Sequence, residues 1–260
     1  MKFDSTTAAV VTGGASGLGR ATAEALSAAG VKVAIFDINE TLGEEVAQSI
    51  GGLFCKVDIT SEDSVIAGFA KARAAHGQER ITVHCAMTSR RGKTLAYDKE
   101  TGKLRRTPTE DYEYGVQGIL VASYRIASIS AEGMATLEPL EDGERGCITL
   151  TASVAAQDGQ IGQIIYGSAK AGVNGLVLPM ARDLSDIGIR VNAIMPGIFA
   201  TPLMLGAKPQ VLESLAASVP FPKRLGKPEE FGSLALELAR NSYFNGQCIR
   251  LDGAIRMAPR

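Results

Sequence analysis

The chain has 260 residues, of which 27 are Lys or Arg and 28 are Asp or Glu, so its formal net charge is -1. With 45% hydrophobic residues, a chain of this length can form one α/β domain around a large buried core. The balanced charge gives no reason to expect nucleic acid or an anionic membrane as a partner, and the absence of Trp argues against stacking platforms for single strands.

Strand-like and helix-like patterns alternate from the start of the chain. Short apolar runs predict seven strands, at residues 8–12, 31–36, 53–57, 81–86, 147–150, 189–194 and 247–251. Helices are expected at residues 18–29, 41–50, 62–76, 108–136, 164–187 and 228–240, and the loop at 196–222 is expected to contain one short helix. Repeated strand–helix units predict one domain, residues 1–260, with a parallel sheet that has helices on both faces.

The four cysteines are far apart and form no C-x-x-C pair. They are Cys55, Cys85, Cys147 and Cys248, and each lies in an apolar, strand-like stretch. We therefore expect reduced core residues rather than a disulfide framework or a zinc site. His76 and His84 are the only histidines, so no metal site is expected.

The first nine residues contain no long apolar run, and no stretch of about 18 apolar residues occurs in the chain. These observations predict neither a signal peptide nor a membrane span. We expect a cytoplasmic protein.

A glycine-rich turn follows the first predicted strand and opens the first predicted helix. It contains Gly13, Ser16, Gly17, Leu18 and Gly19. Glycines let backbone N–H groups approach a pyrophosphate, and the helix N-terminus supplies partial positive charge. The turn on its own could simply connect a strand to a helix.

Asp37 lies about 20 residues beyond the glycine turn, at the end of the second predicted strand. A carboxylate there can accept hydrogen bonds from ribose hydroxyls, and it would repel the additional phosphate of NADP. Asp37 could instead cap the following helix. The combination with the glycine turn favours a nucleotide site and NAD as the cofactor.

Tyr166 and Lys170 are four positions apart and so lie on one face of a predicted helix. An ammonium group near a phenol lowers the phenol's pKa, which would let Tyr166 act as a general acid or base. Ser153 follows the fifth strand, at the carboxyl edge of the sheet, where open α/β sheets bind ligands. These three residues are the catalytic candidates.

In these motifs the chain resembles the short-chain dehydrogenase/reductase family across nearly its whole length. The pieces that match in order are residues 12–19, Asp37, Asp58, Ser153, Tyr166 with Lys170, and Pro196-Gly197 with Thr201. The resemblance implies a single doubly wound Rossmann-type domain that binds a nicotinamide dinucleotide. It also implies that Tyr166 exchanges a proton with the substrate oxygen.

The resemblance assigns a role to each of the other matching positions. Lys170 would hold the nicotinamide ribose and tune Tyr166, and Ser153 would orient the substrate oxygen. Asp58 would contact the adenine, and Thr201 would contact the carboxamide of the nicotinamide. A homotetramer is also expected from the resemblance alone.

Residues 151–156, 219–226 and 249–257 resemble one branch of the family, the type 2 3-hydroxyacyl-CoA dehydrogenases, which are also called type 10 17β-hydroxysteroid dehydrogenases. The resemblance implies NAD-dependent interconversion of a secondary alcohol and a ketone, such as a 3-hydroxyacyl-CoA. A steroid or another apolar secondary alcohol is the alternative substrate. A catalytically weak relative that binds a nucleotide is the alternative function.

The branch also carries an insertion after the fourth strand, which matches residues 87–107 here. Its basic residues include Arg90, Arg91, Lys93, Arg105 and Arg106. They could attract the phosphates of an acyl-CoA, or they could form a solvated loop or hairpin with its turn at residues 99–102. The apolar loop at 196–222 is the expected substrate loop.

Two positions depart from the family pattern. The end of the fourth strand reads His84-Cys85-Ala86-Met87, where the family has Asn at the first position and Gly at the last. Met87 is expected to crowd the cofactor ribose or to force the loop outward, and so to weaken NAD binding. The family's helix Asn falls at Gly115, and a water molecule in the space there could keep a proton relay open.

Overall fold

A computed structural model describes residues 1–259 of the chain. Its centre is a seven-stranded sheet in the order β3-β2-β1-β4-β7-β8-β9. All neighbouring pairs in this sheet are parallel. The strands are β1 (Ala8–Thr12), β2 (Lys32–Asp37), β3 (Leu53–Lys56), β4 (Ile81–His84), β7 (Gly146–Thr151), β8 (Ile189–Pro196) and β9 (Cys248–Leu251). The predicted doubly wound parallel sheet is confirmed.

Helices cover both faces of the sheet, which explains why β1 and β8 are buried along their whole length. One face packs against α1 (Gly17–Ala28), α2 (Glu40–Ser49) and α9 (Pro228–Arg240). The other face packs against α3 (Glu62–His76), α5 (Ala122–Met134) and α6 (Ile164–Asp183). The apolar, β-branched strand sequences therefore reflect burial from two sides.

The helix predicted at 108–136 is continuous but not uniform. It consists of α4 (Thr109–Val116), a π-helical turn (Gln117–Val121) and α5. Single π-helical turns often occur near functional sites. Gly118 lies in this turn, where a Cβ atom would come within 2.3 Å of the Thr88 carbonyl oxygen, so glycine permits close approach of the loop after β4.

The loop at 196–222 contains two short helices rather than the one expected. They are α7 (Pro202–Leu205) and α8 (Pro209–Ala217). Each begins with a proline at its first turn, where a missing backbone N–H costs nothing. The Thr201 side chain caps α7 by accepting a hydrogen bond from the Met204 N–H at 3.4 Å.

The basic insertion forms the expected hairpin. Strands β5 (Leu95–Tyr97) and β6 (Leu104–Arg106) pair antiparallel, and both are exposed. Asp98 stabilises the turn because its carboxylate accepts hydrogen bonds from the backbone N–H groups of Glu100 and Thr101.

All four cysteines are free thiols, but their burial differs from the prediction. Cys55 and Cys147 are buried, Cys85 is half-buried in the loop after β4, and Cys248 is exposed on β9. The core assignment of Cys248 is wrong because β9 is the edge strand of the sheet. In the described part of the chain, no helix combines the length and the hydropathy that a bilayer crossing would need.

Candidate active site

The main cleft lies at the carboxyl ends of β1 and β4, where the strand order reverses direction. Chain connections run outward from β1 on one side and from β4 on the other, which leaves an opening between them. The cleft has a volume of about 870 Å³, in the range of sites for cofactors and small ligands. The glycine turn, Asp37, Asp58, Ser153, Tyr166, Lys170 and Thr201 all line it.

The glycine turn closes the bottom of the cleft at the N-terminus of α1. Gly13 and Gly17 have positive φ angles of 67° and 53°, which side chains rarely adopt. A Cβ atom on Gly19 would lie 2.2 Å from the Gly13 carbonyl oxygen, so a side chain at this position would clash with the backbone of the turn. Ser16 makes no side-chain cap to α1, and N–H groups at this helix end remain available for an anion.

Asp37 lies at the end of β2 and faces the same cleft. Its carboxylate accepts hydrogen bonds from the backbone N–H groups of Ala15 at 3.1 Å and Asn39 at 3.0 Å. These bonds fix the carboxylate beside the glycine turn and leave it lone pairs for further donors. Asp37 does not cap α2, because the Asn39 side chain performs that role.

Asp58 follows β3 and lies at the same end of the cleft. Hydrogen bonds from the side chain and backbone N–H of Thr60 lower the pKa of its carboxyl group. The exposed side chain of Ile38, next to Asp37 in the chain, adds an apolar surface to the cleft. Together these groups can hold the polar edges and the flat face of a nucleoside.

Tyr166 and Lys170 lie in the first part of α6, and both face the cleft. The Lys170 Nζ is 5.9 Å from the centre of the Tyr166 ring and donates a hydrogen bond to the Thr151 carbonyl oxygen. The Ser153 hydroxyl accepts a hydrogen bond from the Ala155 N–H at 3.1 Å, and Ser153 lines the same cleft as Tyr166. The structure thus brings the three catalytic candidates together.

Burial changes the protonation of this pair in a way that the sequence did not predict. Desolvation raises the pKa of Tyr166, and the polar side chain of Ser153 opposes that rise. Desolvation also lowers the pKa of Lys170 to about 8. The pKa of Tyr166 is therefore raised, not lowered as expected, in the protein alone, because loss of solvation outweighs the effect of Ser153.

His84 lies behind the cleft at the end of β4 and is only 2% exposed. The Thr12 hydroxyl accepts hydrogen bonds from the Cys85 and Ala86 N–H groups, both at 3.1 Å. The Thr12 hydroxyl then donates its own proton to Nδ1 of His84, 2.7 Å away. Because Nδ1 accepts this bond, the proton of the neutral imidazole lies on Nε2. Burial and the nearby Lys170 lower the pKa of His84 to about 3, so the ring is neutral.

Met87 remains at the cleft rather than being displaced from it, and it is 41% exposed. The next residue, Thr88, anchors the loop to the helix that carries Tyr114. Its N–H donates to the Gly118 carbonyl at 3.2 Å, and its hydroxyl is 2.7 Å from the Tyr114 hydroxyl. The loop after β4 is therefore pinned, and the Met87 side chain occupies cleft space.

The space at Gly115 is not available for a water molecule. A Cβ atom on Gly115 would lie 2.1 Å from Cγ2 of Ile165, which fills the position from α6. The expectation of a relay through a water molecule at Gly115 is therefore wrong. A bulky residue immediately before Tyr166 has taken the volume that the missing Asn would occupy.

Several lining residues were not singled out from the sequence as site residues. They include Ile38, Tyr114, Gln163 and Met257. Tyr114 could have been suspected from its position next to Gly115. Met257 ends the stretch 249–257 that resembles one branch of the family, but that resemblance assigned no role to it.

Comparisons with known proteins agree over nearly the full length. A family profile described as Enoyl-(Acyl carrier protein) reductase matches residues 13–255. The chain is 44% identical over 252 residues to 3-hydroxyacyl-CoA dehydrogenase type-2 from Drosophila melanogaster, covering 96% of this chain and 97% of that protein. It is 42% identical over 253 residues to the protein of the same name from Homo sapiens, covering 96% and 95%.

A solved structure gives the same result for the fold. The crystal structure of 3-hydroxyacyl-CoA dehydrogenase type-2 from Mycobacterium avium matches with a TM-score of 0.90 and 40% identity, and the match covers 99% of this chain and 98% of that one. Sequence, fold and the arrangement of Ser153, Tyr166 and Lys170 in one cleft thus lead to the same conclusion. The chain belongs to the short-chain dehydrogenase/reductase family and is an oxidoreductase that acts on CH–OH groups.

Proposed function

We propose that the protein is an NAD-dependent dehydrogenase that interconverts the secondary alcohol of a 3-hydroxyacyl-CoA and the corresponding ketone. The observation that carries this proposal is that one cleft holds both the glycine turn and the group of Ser153, Tyr166 and Lys170. The glycine turn can bind a dinucleotide, and the group of three side chains can accept or donate a proton. The names of the relatives supply the substrate class.

In this mechanism the substrate loses a proton and a hydride from the same CH–OH group. The nicotinamide, when bound, supplies the hydride acceptor. Ser153 would hold the substrate oxygen by a hydrogen bond, and Tyr166 would take its proton. Lys170 would hold the nicotinamide ribose, and its positive charge would favour the phenolate form of Tyr166.

Asp37 supports NAD rather than NADP. Its carboxylate is fixed beside the glycine turn by two backbone N–H groups, where it can accept from ribose hydroxyls. A 2′-phosphate at this position would meet a like charge. Gly13, Ser16, Gly17, Leu18 and Gly19 would hold the pyrophosphate, Asp58 the adenine, and Thr201 the carboxamide.

The basic insertion supports an acyl-CoA as the substrate. Its first residues reach the mouth of the cleft, because the Gly92 N–H bonds to the Gly162 carbonyl at 3.2 Å next to the lining residue Gln163. Arg91 and Lys93 flank this contact, and within residues 1–259 neither forms a salt bridge. Free cations at the mouth can attract phosphate groups, whereas Asp98 already pairs with Arg105 of the hairpin.

A homotetramer is the assembly that we propose. The edge strand β9 offers an unpaired side along which another subunit can pack, and Cys248 on it is exposed. Light scattering of the purified protein measures the mass directly, and a monomer at micromolar concentration would contradict this assignment.

The test of the function combines a substrate panel with the variant Tyr166→Phe, which lacks the phenol oxygen. The protein is incubated with NAD or NADP and with 3-hydroxyacyl-CoAs, hydroxysteroids and simple secondary alcohols, and nicotinamide reduction is followed by absorbance. We expect the highest kcat/KM with NAD and a 3-hydroxyacyl-CoA. Tyr166→Phe should lower it by at least roughly 100-fold because general acid–base catalysis is lost.

Tyr243→Phe is the matched control, because Tyr243 is 98% exposed and lies outside the cleft. It should retain the parent activity. If no compound in the panel is oxidised, or if Tyr166→Phe is as active as the parent, the dehydrogenase proposal is wrong. The filled space at Gly115 would then favour the second candidate, a catalytically weak relative that binds a nucleotide.

A further inference from the structure

The last described residues of the chain return to the active-site cleft. Beyond β9, Gly253 and Ala254 both have positive φ angles, of 59° and 67°, which turn the chain back toward the sheet edge. The Asp252 carboxylate supports the turn by accepting the Ala254 N–H at 3.0 Å. Residues 255–259, here called the C-terminal segment, follow this turn.

The C-terminal segment is attached to the loop that leads into α6. The Ile161 N–H donates to the Pro259 carbonyl at 3.0 Å, and the Gln160 side chain donates to the Ala258 carbonyl at 2.8 Å. The Met257 N–H contacts the Asp158 carboxylate at 3.4 Å. Three successive residues of the segment are thus held against residues 158–161, a few positions before Tyr166.

A mostly buried ion pair fixes this attachment. Arg250 donates to Asp158 at 2.7 Å, and the two side chains are only 16% and 13% exposed. Arg250 also bonds to the Asp252 carboxylate at 2.7 Å and to the Ile255 carbonyl at 2.8 Å. One guanidinium therefore connects the end of β9, the turn and the loop before α6.

The attachment places Met257 in the lining of the cleft that also contains Gln163 and Tyr166. The loop after β8 contributes apolar residues to the same cleft, Ile198, Leu203 and Met204. Methionine is flexible and polarizable, so it adapts to apolar groups of different shape. An apolar chain attached to the reacting carbon could pack against these residues.

We propose that Met257 is a specificity-determining residue that limits the length of the apolar chain accepted by the site. The ion pair of Arg250 and Asp158 is the device that holds it there. This inference rests on the proposed function, because it assigns the part of the substrate beyond the reacting carbon to a particular wall of the same cleft.

The experiment compares Met257→Ala and Asp158→Asn with the parent protein. For each protein, kcat and KM are measured with 3-hydroxyacyl-CoAs of short, medium and long chain, and affinities for the matching 3-oxoacyl-CoAs are measured by calorimetry. Met257→Ala should lower the KM for the long chain relative to the short one, by roughly fourfold for each additional methylene admitted.

Asp158→Asn should shift chain preference in the same direction, because the C-terminal segment loses its charged attachment. The matched control is Met180→Ala, since Met180 is a half-buried methionine on α6 that packs against the core away from the cleft. It should leave chain preference unchanged. An equal shift in this control would overturn the proposal.

The two proposals fail in different ways. If the parent oxidises 3-hydroxyacyl-CoAs and Tyr166→Phe does not, but Met257→Ala keeps the parent ratio of long-chain to short-chain KM, only the role of Met257 is wrong. If the parent neither oxidises nor binds any acyl-CoA, the proposed function is wrong and the role of Met257 falls with it.

Discussion

His84 shows how a buried polar side chain is constrained by its neighbours. The Thr12 hydroxyl fixes one ring nitrogen, and burial beside Lys170 keeps the ring neutral. Within residues 1–259, Nε2 has no hydrogen-bond partner. A buried donor without an acceptor costs about 1–3 kcal/mol, so His84 lowers the free energy of unfolding.

We predict that His84 makes the protein less stable in acid. Its pKa is about 3 in the folded state against an ordinary value of 6.5, so between these values only the unfolded chain takes up the proton. The free energy of unfolding should therefore fall as pH decreases from 6.5 toward 3, by up to about 1.4 kcal/mol per pH unit. His84→Asn should lack this component, as measured by urea unfolding at several pH values. Parallel pH profiles for the two proteins would contradict the prediction.

Met87 leads to a second prediction at the scale of one residue. Its side chain occupies cleft space next to the glycine turn, so Met87→Gly should tighten NAD binding by roughly three- to tenfold in calorimetric titration, because crowding of the cofactor ribose is relieved. Met87→Leu keeps the bulk and should bind NAD as the parent does. Equal affinity of the parent and Met87→Gly would show that Met87 does not crowd the cofactor.

At the scale of elements, the contact between α4 and α6 controls what the active site can contain. The two helices approach closely because Gly115 has no side chain, and Ile165 fills the resulting space. Ile165 precedes Tyr166 directly, so the packing of these helices also sets the position of the phenol. The same contact that positions Tyr166 excludes a side chain at Gly115.

We predict opposite effects for two glycine substitutions in these helices. Gly115→Ala should destabilise the protein by about 1–3 kcal/mol, because its Cβ atom would lie 2.1 Å from Ile165. Gly175→Ala is the control, since Gly175 is an exposed position in α6 with no atom within 4 Å of a new Cβ. It should stabilise the protein by about 0.5–1 kcal/mol because alanine favours helix. Thermal unfolding measures both, and a stabilising Gly115→Ala would refute the packing argument.

At the scale of the whole molecule, the two edges of the sheet have different roles. The carboxyl edge carries the cleft, and the amino edge carries a buried ion pair between Glu144, before β7, and Arg190, at the start of β8. Arg190 also donates hydrogen bonds to the carbonyl oxygens of Leu238 and Phe244. This pair joins β8 to the end of α9, far from the reacting groups.

Glu144→Gln should therefore reduce stability without changing catalysis. Arg190 would lose its partner while remaining 7% exposed, and breaking such a pair costs about 3–5 kcal/mol. Glu141→Gln is the control, because its partner Lys2 is 95% exposed and such pairs contribute less than about 1 kcal/mol. Urea unfolding and kcat/KM are measured for both. A large loss of kcat/KM in a folded Glu144→Gln variant would show that the two edges are coupled.

The sequence by itself determined the seven strands, their parallel arrangement, the glycine turn and the spacing of Tyr166 and Lys170. These features depend on short-range patterns, because period, turn chemistry and side-chain spacing within one helix act over a few residues. The element boundaries in the loop at 196–222 were less well determined, since two prolines can each start a helix there.

Only the tertiary structure decided how distant segments share space. The space at Gly115 is filled by Ile165, Met257 reaches the cleft, Cys248 lies on an exposed edge, and burial raises rather than lowers the pKa of Tyr166. Each of these depends on which atoms of remote segments come into contact and on how much water they exclude. Packing and desolvation are properties of the assembled fold, and no local sequence pattern encodes them.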